Sequence, residues 1–276
     1  MAIDVSAYLA RIGLTERPAA DADGLARLQR AHRLAIAFEN LDIPLGRGID
    51  LDPDRVFDKL VTRRRGGYCF EQNQLFLRAL DALGFDARPL LARVWLGARP
   101  GDTPPRTHTL NLVQLATEEG AQQWIADAGF GGSYTPPMPL IDGHETTTPD
   151  GAAHRLRADA DHGWMLERKA PGDARDSDAA GDWLPQYSFT ADPVWAMDLV
   201  MANHYTATGY QTRFTRFIVA SIATDDGFAS LLDRKFGHDG ESREIGDPDE
   251  LRRTLADVFG VQLSEDEVRR LHLFEA

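Results

Sequence analysis

The stretch that most constrains this chain is Arg65-Gly66-Gly67-Tyr68-Cys69-Phe70-Glu71-Gln72-Asn73. Two adjacent glycines break a helix, and the residues after them are helical by spacing. Cys69, Asn73, Phe76, Leu80 and Leu83 recur at steps of three and four and so share one face. Phe70 and Leu77 widen that stripe, and Gly84 is a C-terminal stop. The only cysteine of the protein therefore stands in the first turn of a helix, on its apolar side. Unpaired amides and the helix dipole there favour an anion, here a thiolate. The alternative is a small buried hydrophobe with no chemical task. What separates the two is whether the chain supplies a base and an acid to orient it.

A chain of 276 residues is long enough for two or three packed units. With 43 acidic and 30 basic residues its net charge is −13, which argues against nucleic acid or an anionic membrane surface as a general partner. No apolar run approaches the length of a membrane span, and the start of the sequence lacks a basic-then-apolar leader. One cysteine cannot close an internal disulfide, so a cytoplasmic location is expected. No cluster of ligating residues calls for a metal.

The hydrophobic period divides the chain. Residues 1–85 read as a helical bundle, with helices over 4–16 (capped by Asp4 or Ser6), 23–37, 53–61 and the Cys69 helix, and a loop from Phe38 to Gly46. Residues 86–192 switch to alternation, with strands over 90–96, 107–115, 122–128, 153–168 and 183–189. A small, acidic loop spans 171–182. This unit reads as a β-barrel or meander. Residues 193–276 return to helices over 194–205, 249–259 and 264–271, with strands over 214–224 and 243–245; Ser264 and Glu267 have capping-box spacing.

Eight histidines are available to serve Cys69. His144, His154, His162, His238 and His272 sit in polar or loop contexts and read as solvated. His32 reads as a packing residue in its helix, and His204 as a helper at a helix end. His108 differs, because it shares a strand face with Leu110 and Leu112. A four-residue loop over 116–119, or a two-residue turn at 117–118, sets Leu115 opposite Gly120 and His108 opposite Asp127. Directly opposed residues on an antiparallel pair share a face. A carboxylate there holds one ring nitrogen and leaves the other for sulfur. Nucleophile, base and orienting acid are the parts that covalent acyl transfer requires.

These residues resemble the arylamine N-acetyltransferases along nearly the whole chain. The matching stretches are Tyr8–Gly13, His32-Arg33 with Phe38–Asp42, Arg65–Asn73, Thr107–Val113 and Asp127–Gly132. The resemblance implies an α+β, papain-like fold: a helical bundle, a β-barrel and a C-terminal α/β lid. It implies a Cys69–His108–Asp127 triad and acetyl-CoA as co-substrate. A ping-pong transfer to arylamines or hydrazines through an acetyl-Cys69 thioester would result, with a place in xenobiotic metabolism. By the same resemblance Thr109, Gly129, Gly131 and Gly132 receive the coenzyme, and Phe38, Phe130 and Tyr68 meet the acceptor. Glu39 and Arg65 then form a structural ion pair. The run Asn203–Tyr210 departs from the family's usual Ser-Thr-His-Pro, and Trp95 would narrow the acceptor pocket. Other readings of the same triad are a cysteine hydrolase, a transglutaminase-like enzyme and an amide synthase. A binding module with an inert cysteine is the non-enzymatic alternative.

Overall fold

The computed structural model describes residues 3–99, 101–118, 120–169, 182–225, 227–238 and 240–274. Helices α1 (Val5–Arg11) and α2 (Ala22–Ala35) start at Asp4 and Asp21, whose carboxylates accept from the amides of Ala7 and Gly24. The chain leaves α2 as β1 (Phe38–Glu39), two residues of strand within the expected loop. Helix α3 (Pro53–Phe57) carries proline in its first turn and then widens into a π-helical turn over Asp58–Thr62. That turn buries Lys59, Leu60 and Val61. Helix α4 (Cys69–Leu83) ends at Gly84, whose φ of 92° is the left-handed cap that glycine adopts without strain. The first helix is shorter than the spacing suggests, because Gly13 at φ 75° turns the chain away.

The middle of the chain forms β2 (Asp86–Val94), β3 (Arg106–Thr117), β4 (Gly120–Ala126), β5 (Met138–Pro139), β6 (Glu145–Thr147), β7 (Ala153–Asp159), β8 (Gly163–Lys169) and β9 (Leu184–Phe189). They make one antiparallel sheet in the order β5-β4-β3-β2-β9-β8-β7-β6, a nearly closed barrel. Leu90, Leu110, Leu112, Leu156, Leu166 and Tyr187 fill it. The expected strand over 153–168 is in fact the hairpin β7–β8. The expected loop over 171–182 lies, apart from Asp182, outside the described residues.

The register of β3 against β4 differs from expectation by two residues. Thr117 pairs with Gly120 and Leu115 with Gln122, so the connection is tighter than a four-residue loop. Gly120, at φ 126°, occupies backbone space closed to other residues. A two-residue slip preserves the facing of every side chain, whereas a one-residue slip would reverse it. The ladder stops at Asn111 and Ala126, one residue before Asp127.

The remainder comprises α5 (Ala196–Thr208), α6 (Arg213–Arg216), β10 (Val219–Ala223), β11 (Phe228–Leu232), β12 (Lys235–His238), β13 (Glu241–Glu244), α7 (Pro248–Asp257) and α8 (Glu265–Arg269). The segment expected as a strand from Phe214 begins instead as α6, because the Thr212 hydroxyl caps the Thr215 amide. Ser264 and Glu267 do form the reciprocal capping pair. The second sheet runs β1-β10-β11-β12-β13. Its first strand comes from the N-terminal part of the chain, with Phe38 paired to Ser221 and bridged to Gly67. Ala37, Leu41 and Leu45 also pack into the C-terminal core beside Leu231, Leu251 and Leu255. These links fix the segment before Cys69 between two bodies of structure. No described helix is long and apolar enough to cross a membrane.

Candidate active site

The start of α4 is held by charge. The backbone amide of Tyr68 donates to Glu71 Oε2, and Glu71 Oε1 lies 2.8 Å from Lys59 Nζ. Lys59 also meets Asp42 at 2.7 Å, and Asp42 reaches Arg65 at 3.3 Å. Arg65 in turn binds Glu39 at 2.8 Å. All of these side chains are at most 12% exposed. Burial alone would lower the Lys59 ammonium, but Glu71, Glu39 and Asp42 outweigh it and raise its pKa. Burial raises Asp42, yet Lys59 and Arg65 overcome this and hold it down at about 2. The chain thus fixes the loop before Cys69 by alternating charges, each countered by a neighbour.

Beside it, His32 is fully buried between the Tyr8 hydroxyl at 2.8 Å and Gln72 Oε1 at 2.5 Å. Burial depresses its pKa to about 3, so it is a neutral hydrogen-bond relay, consistent with a packing residue. Gln72 passes the link to the carbonyls of Ala37 and Gly67. His154, expected in solvent, is instead buried on the inward face of β7 with Leu156. Burial and the Arg168 charge push its pKa down to about 4. Its polar neighbours in sequence concealed an ordinary alternation of strand faces.

His108 Nε2 lies 2.7 Å from Asp127 Oδ2, and both side chains are at most 3% exposed. Asp127 reaches back from just beyond β4 because three other groups seat it. Asn73, one turn after Cys69 on α4, donates to Asp127 Oδ1 and to the Thr109 carbonyl. The Gly129 amide also donates to Asp127 Oδ1, and Gln29 Oε1 accepts from the Asp127 amide. Burial would raise this carboxyl, but His108, Asn73 and Gly129 more than offset it, so it is held ionised. The His108 ring is wedged by Phe130 and Tyr187, with centroids 5.2 and 5.1 Å away. Arg33, wholly buried, donates to the carbonyls of Ala128, Phe130 and Ser133 and so clamps the turn after Asp127.

Cys69 is 2% exposed, with its sulfur 3.9 Å from the Thr107 carbonyl. Burial, and then the Asp127 charge, push the thiol upward; amides of Phe70 and Thr109 pull the other way. Burial thus disfavours the thiolate, while two backbone N–H groups are already in place for an anion. A proton accepted by a neighbouring imidazole would supply the missing counter-charge.

Cys69 and His108 open onto one cavity of about 270 Å³. Phe38, Phe130, Phe214, Val94, Leu96 and Val219 give it an apolar wall, and Gly129, Gly131, Gly132 and Arg213 also line it. Thr109 and Tyr68 do not. The Thr109 hydroxyl donates to the Leu90 carbonyl at 2.8 Å, and the Tyr68 hydroxyl is taken by Asn203. Trp95 turns away, its indole N–H on Ser188 Oγ, so the wall carries Val94 and Leu96 and is not narrowed by the indole. The glycines serve close packing within the protein. A Cβ on Gly129 would lie 2.6 Å from Asn73 Nδ2 and 2.9 Å from Cys69 Cα, and one on Gly131 would strike the Phe38 ring at 2.8 Å. Arg213, Phe214 and Asn73 escaped the sequence reading as site residues. Only Asn73 left a signal, as a polar residue on the apolar stripe of α4.

Comparison with known proteins places this geometry in context. The sequence profile of a family described as N-acetyltransferase matches residues 21–268. The arylamine N-acetyltransferase of Escherichia coli (strain K12) is 37% identical over 265 residues, 94% of this chain and 89% of that protein. The arylamine N-acetyltransferase structure from Salmonella typhimurium superposes with a TM-score of 0.86 at 33% identity, covering 98% of each chain. That of Mycobacterium marinum, solved in complex with CoA, gives 0.86 at 31% identity over 97% of this chain and 98% of its own. Similarity at this level and coverage carries the fold with it: α+β and papain-like.

Proposed function

The chain belongs to the arylamine N-acetyltransferase family of acyltransferases, and from that membership we propose that it transfers an acetyl group from acetyl-CoA to the nitrogen of an arylamine or arylhydrazine through an acetyl-Cys69 thioester. The observation that carries the reading is that His108, backed by the buried Asp127, lines the same cavity as the lone cysteine. A relative solved with CoA supports the choice of donor.

In the first half-reaction the Cys69 thiol gives its proton to His108 Nδ1, the nitrogen that Asp127 leaves free. The thiolate adds to the acetyl carbonyl, and amides of Phe70 and Thr109 favour its charge beforehand. The carbon–sulfur bond to CoA then breaks, and His108 returns the proton to the departing thiol. In the second half-reaction the acceptor nitrogen adds to the thioester carbonyl while His108 takes its proton. The bond to Cys69 breaks, and His108 hands the proton to the sulfur, so that the thiol is restored. Phe38, Phe130 and Phe214 flank the acceptor ring in this scheme. Gly131 and Gly132 border the donor arm; Thr109 acts through its backbone, and Tyr68 shapes the wall from behind. The Glu39–Arg65 pair holds the loop that presents the sulfur. A nucleophile that must stay reduced suits the cytoplasm.

Intact-mass analysis after mixing with acetyl-CoA alone tests this. One added acetyl group, absent in Cys69→Ala and discharged by an aromatic amine, is the expected result. No mass gain, or acetate release without any amine, would exclude the transferase reading.

A further inference from the structure

Among the described residues Arg213 is the cavity's one arginine, and no acidic side chain lines the space with it. Among the described residues no carboxylate comes within ion-pair distance of its guanidinium and no group accepts a hydrogen bond from it. Asp233 acts on it only at longer range, and that carboxylate already accepts from the Ile218 amide. Its neighbours in the wall are aromatic and aliphatic: Phe38, Phe214, Leu96 and Val219. The Thr212 cap fixes where α6 begins and so where Arg213 projects. Arg213 is exposed, so its guanidinium stands hydrated at the rim of the cavity. Its planar fork of donors matches carboxylate oxygens, and no protein partner would have to be displaced to receive one. The setting makes this selective. The chain carries a net charge of −13, so an anion gains little from the protein at large and depends on a local cation.

We propose that Arg213 determines acceptor specificity, favouring aromatic amines whose ring bears a carboxylate at a distance from the reacting nitrogen. The ring lies against the phenylalanines, the amine faces Cys69 and the carboxylate takes up the guanidinium fork. This rests on the transferase reading above. The phosphates of the donor offer the same anionic chemistry, and the test separates the two sources.

The experiment compares an aminobenzoate with the corresponding aminobenzamide, in the intact protein and in Arg213→Met, which keeps an aliphatic stem of similar reach. The carboxylate-to-carboxamide ratio of kcat/KM is expected to fall about 10- to 100-fold in Arg213→Met. Arg213→Lys, which keeps charge but loses the fork, is expected to restore part of it. An unchanged ratio overturns the proposal. So does a shift that appears only in the acetyl-CoA dependence of Cys69 acetylation, since the guanidinium would then serve the donor's phosphates. Acetylation of Cys69 is followed by mass in each variant. Its absence in the unaltered protein would defeat the transferase reading itself, whereas normal acetylation with no acceptor preference defeats only this inference.

Discussion

Two buried polar clusters flank Cys69, and they are built on different principles. The cluster of Glu39, Asp42, Lys59, Arg65 and Glu71 is ionic, and none of its members lines the cavity. The cluster of His108, Asp127 and Asn73 sets a single carboxylate among groups that hydrogen-bond to it, and His108 faces the cavity. The first spends its charges on one another and holds backbone in place. The second keeps one imidazole nitrogen uncommitted, so it has capacity to exchange a proton. Burial of ionisable groups therefore does not by itself mark a reacting site. What marks it is a buried group with an unspent valence aimed at open space.

Breaking the second cluster should remove activity and leave the fold. Asp127→Asn keeps shape but loses the charge that steadies His108, and acetyl transfer is expected to fall about 10³- to 10⁴-fold with little change in melting temperature. Breaking the first should do the reverse. Arg65→Ala strands Glu39, whose side chain is fully buried, and is expected to cost about 3–5 kcal/mol in urea unfolding. A melting shift no larger than that of a surface variant would refute the buried-pair account. Gly129→Ala sharpens the boundary between the clusters, because its new methyl presses on both Asn73 and the Cys69 backbone. A destabilisation of about 1–3 kcal/mol is expected, with a larger relative loss of acetylation rate.

A gradual effect is expected with pH. His32 and His154 have folded pKa values depressed by burial to about 3 and about 4. As pH falls below about 6.5 the unfolded chain takes up these protons first, so stability is complete above that pH and declines beneath it. Each histidine should contribute a slope of about 1.4 kcal/mol per pH unit until its folded pKa is reached. Unfolding free energies that stay flat from pH 6.5 to 4 would mean that the two rings are not held neutral.

Much of this was legible in the sequence, for reasons that can be named. The α4 stripe, its glycine stop and the Ser264 cap are local patterns, and local patterns survive into the fold. The His108–Asp127 pairing was reached through a register that is wrong by two residues. It survived because facing depends only on parity. Arg213 and Phe214 were missed because a threonine cap winds them into a helical turn where alternation suggests a strand. Strands β11 and β12 were missed because each is only five or four residues long, although both pair locally in consecutive hairpins. His154 was misplaced because polar flanking residues hid its inward facing on β7.

The central claim is that the sulfur, whose burial disfavours the thiolate, becomes a nucleophile by passing its proton to His108. The pH dependence of Cys69 alkylation by iodoacetamide, in the intact protein and in His108→Gln, tests it directly. The account predicts that the intact protein reacts faster than free cysteine at neutral pH, and that His108→Gln is slow until well above pH 9. Equal rates for the two proteins, or an intact protein no faster than free cysteine, would contradict it.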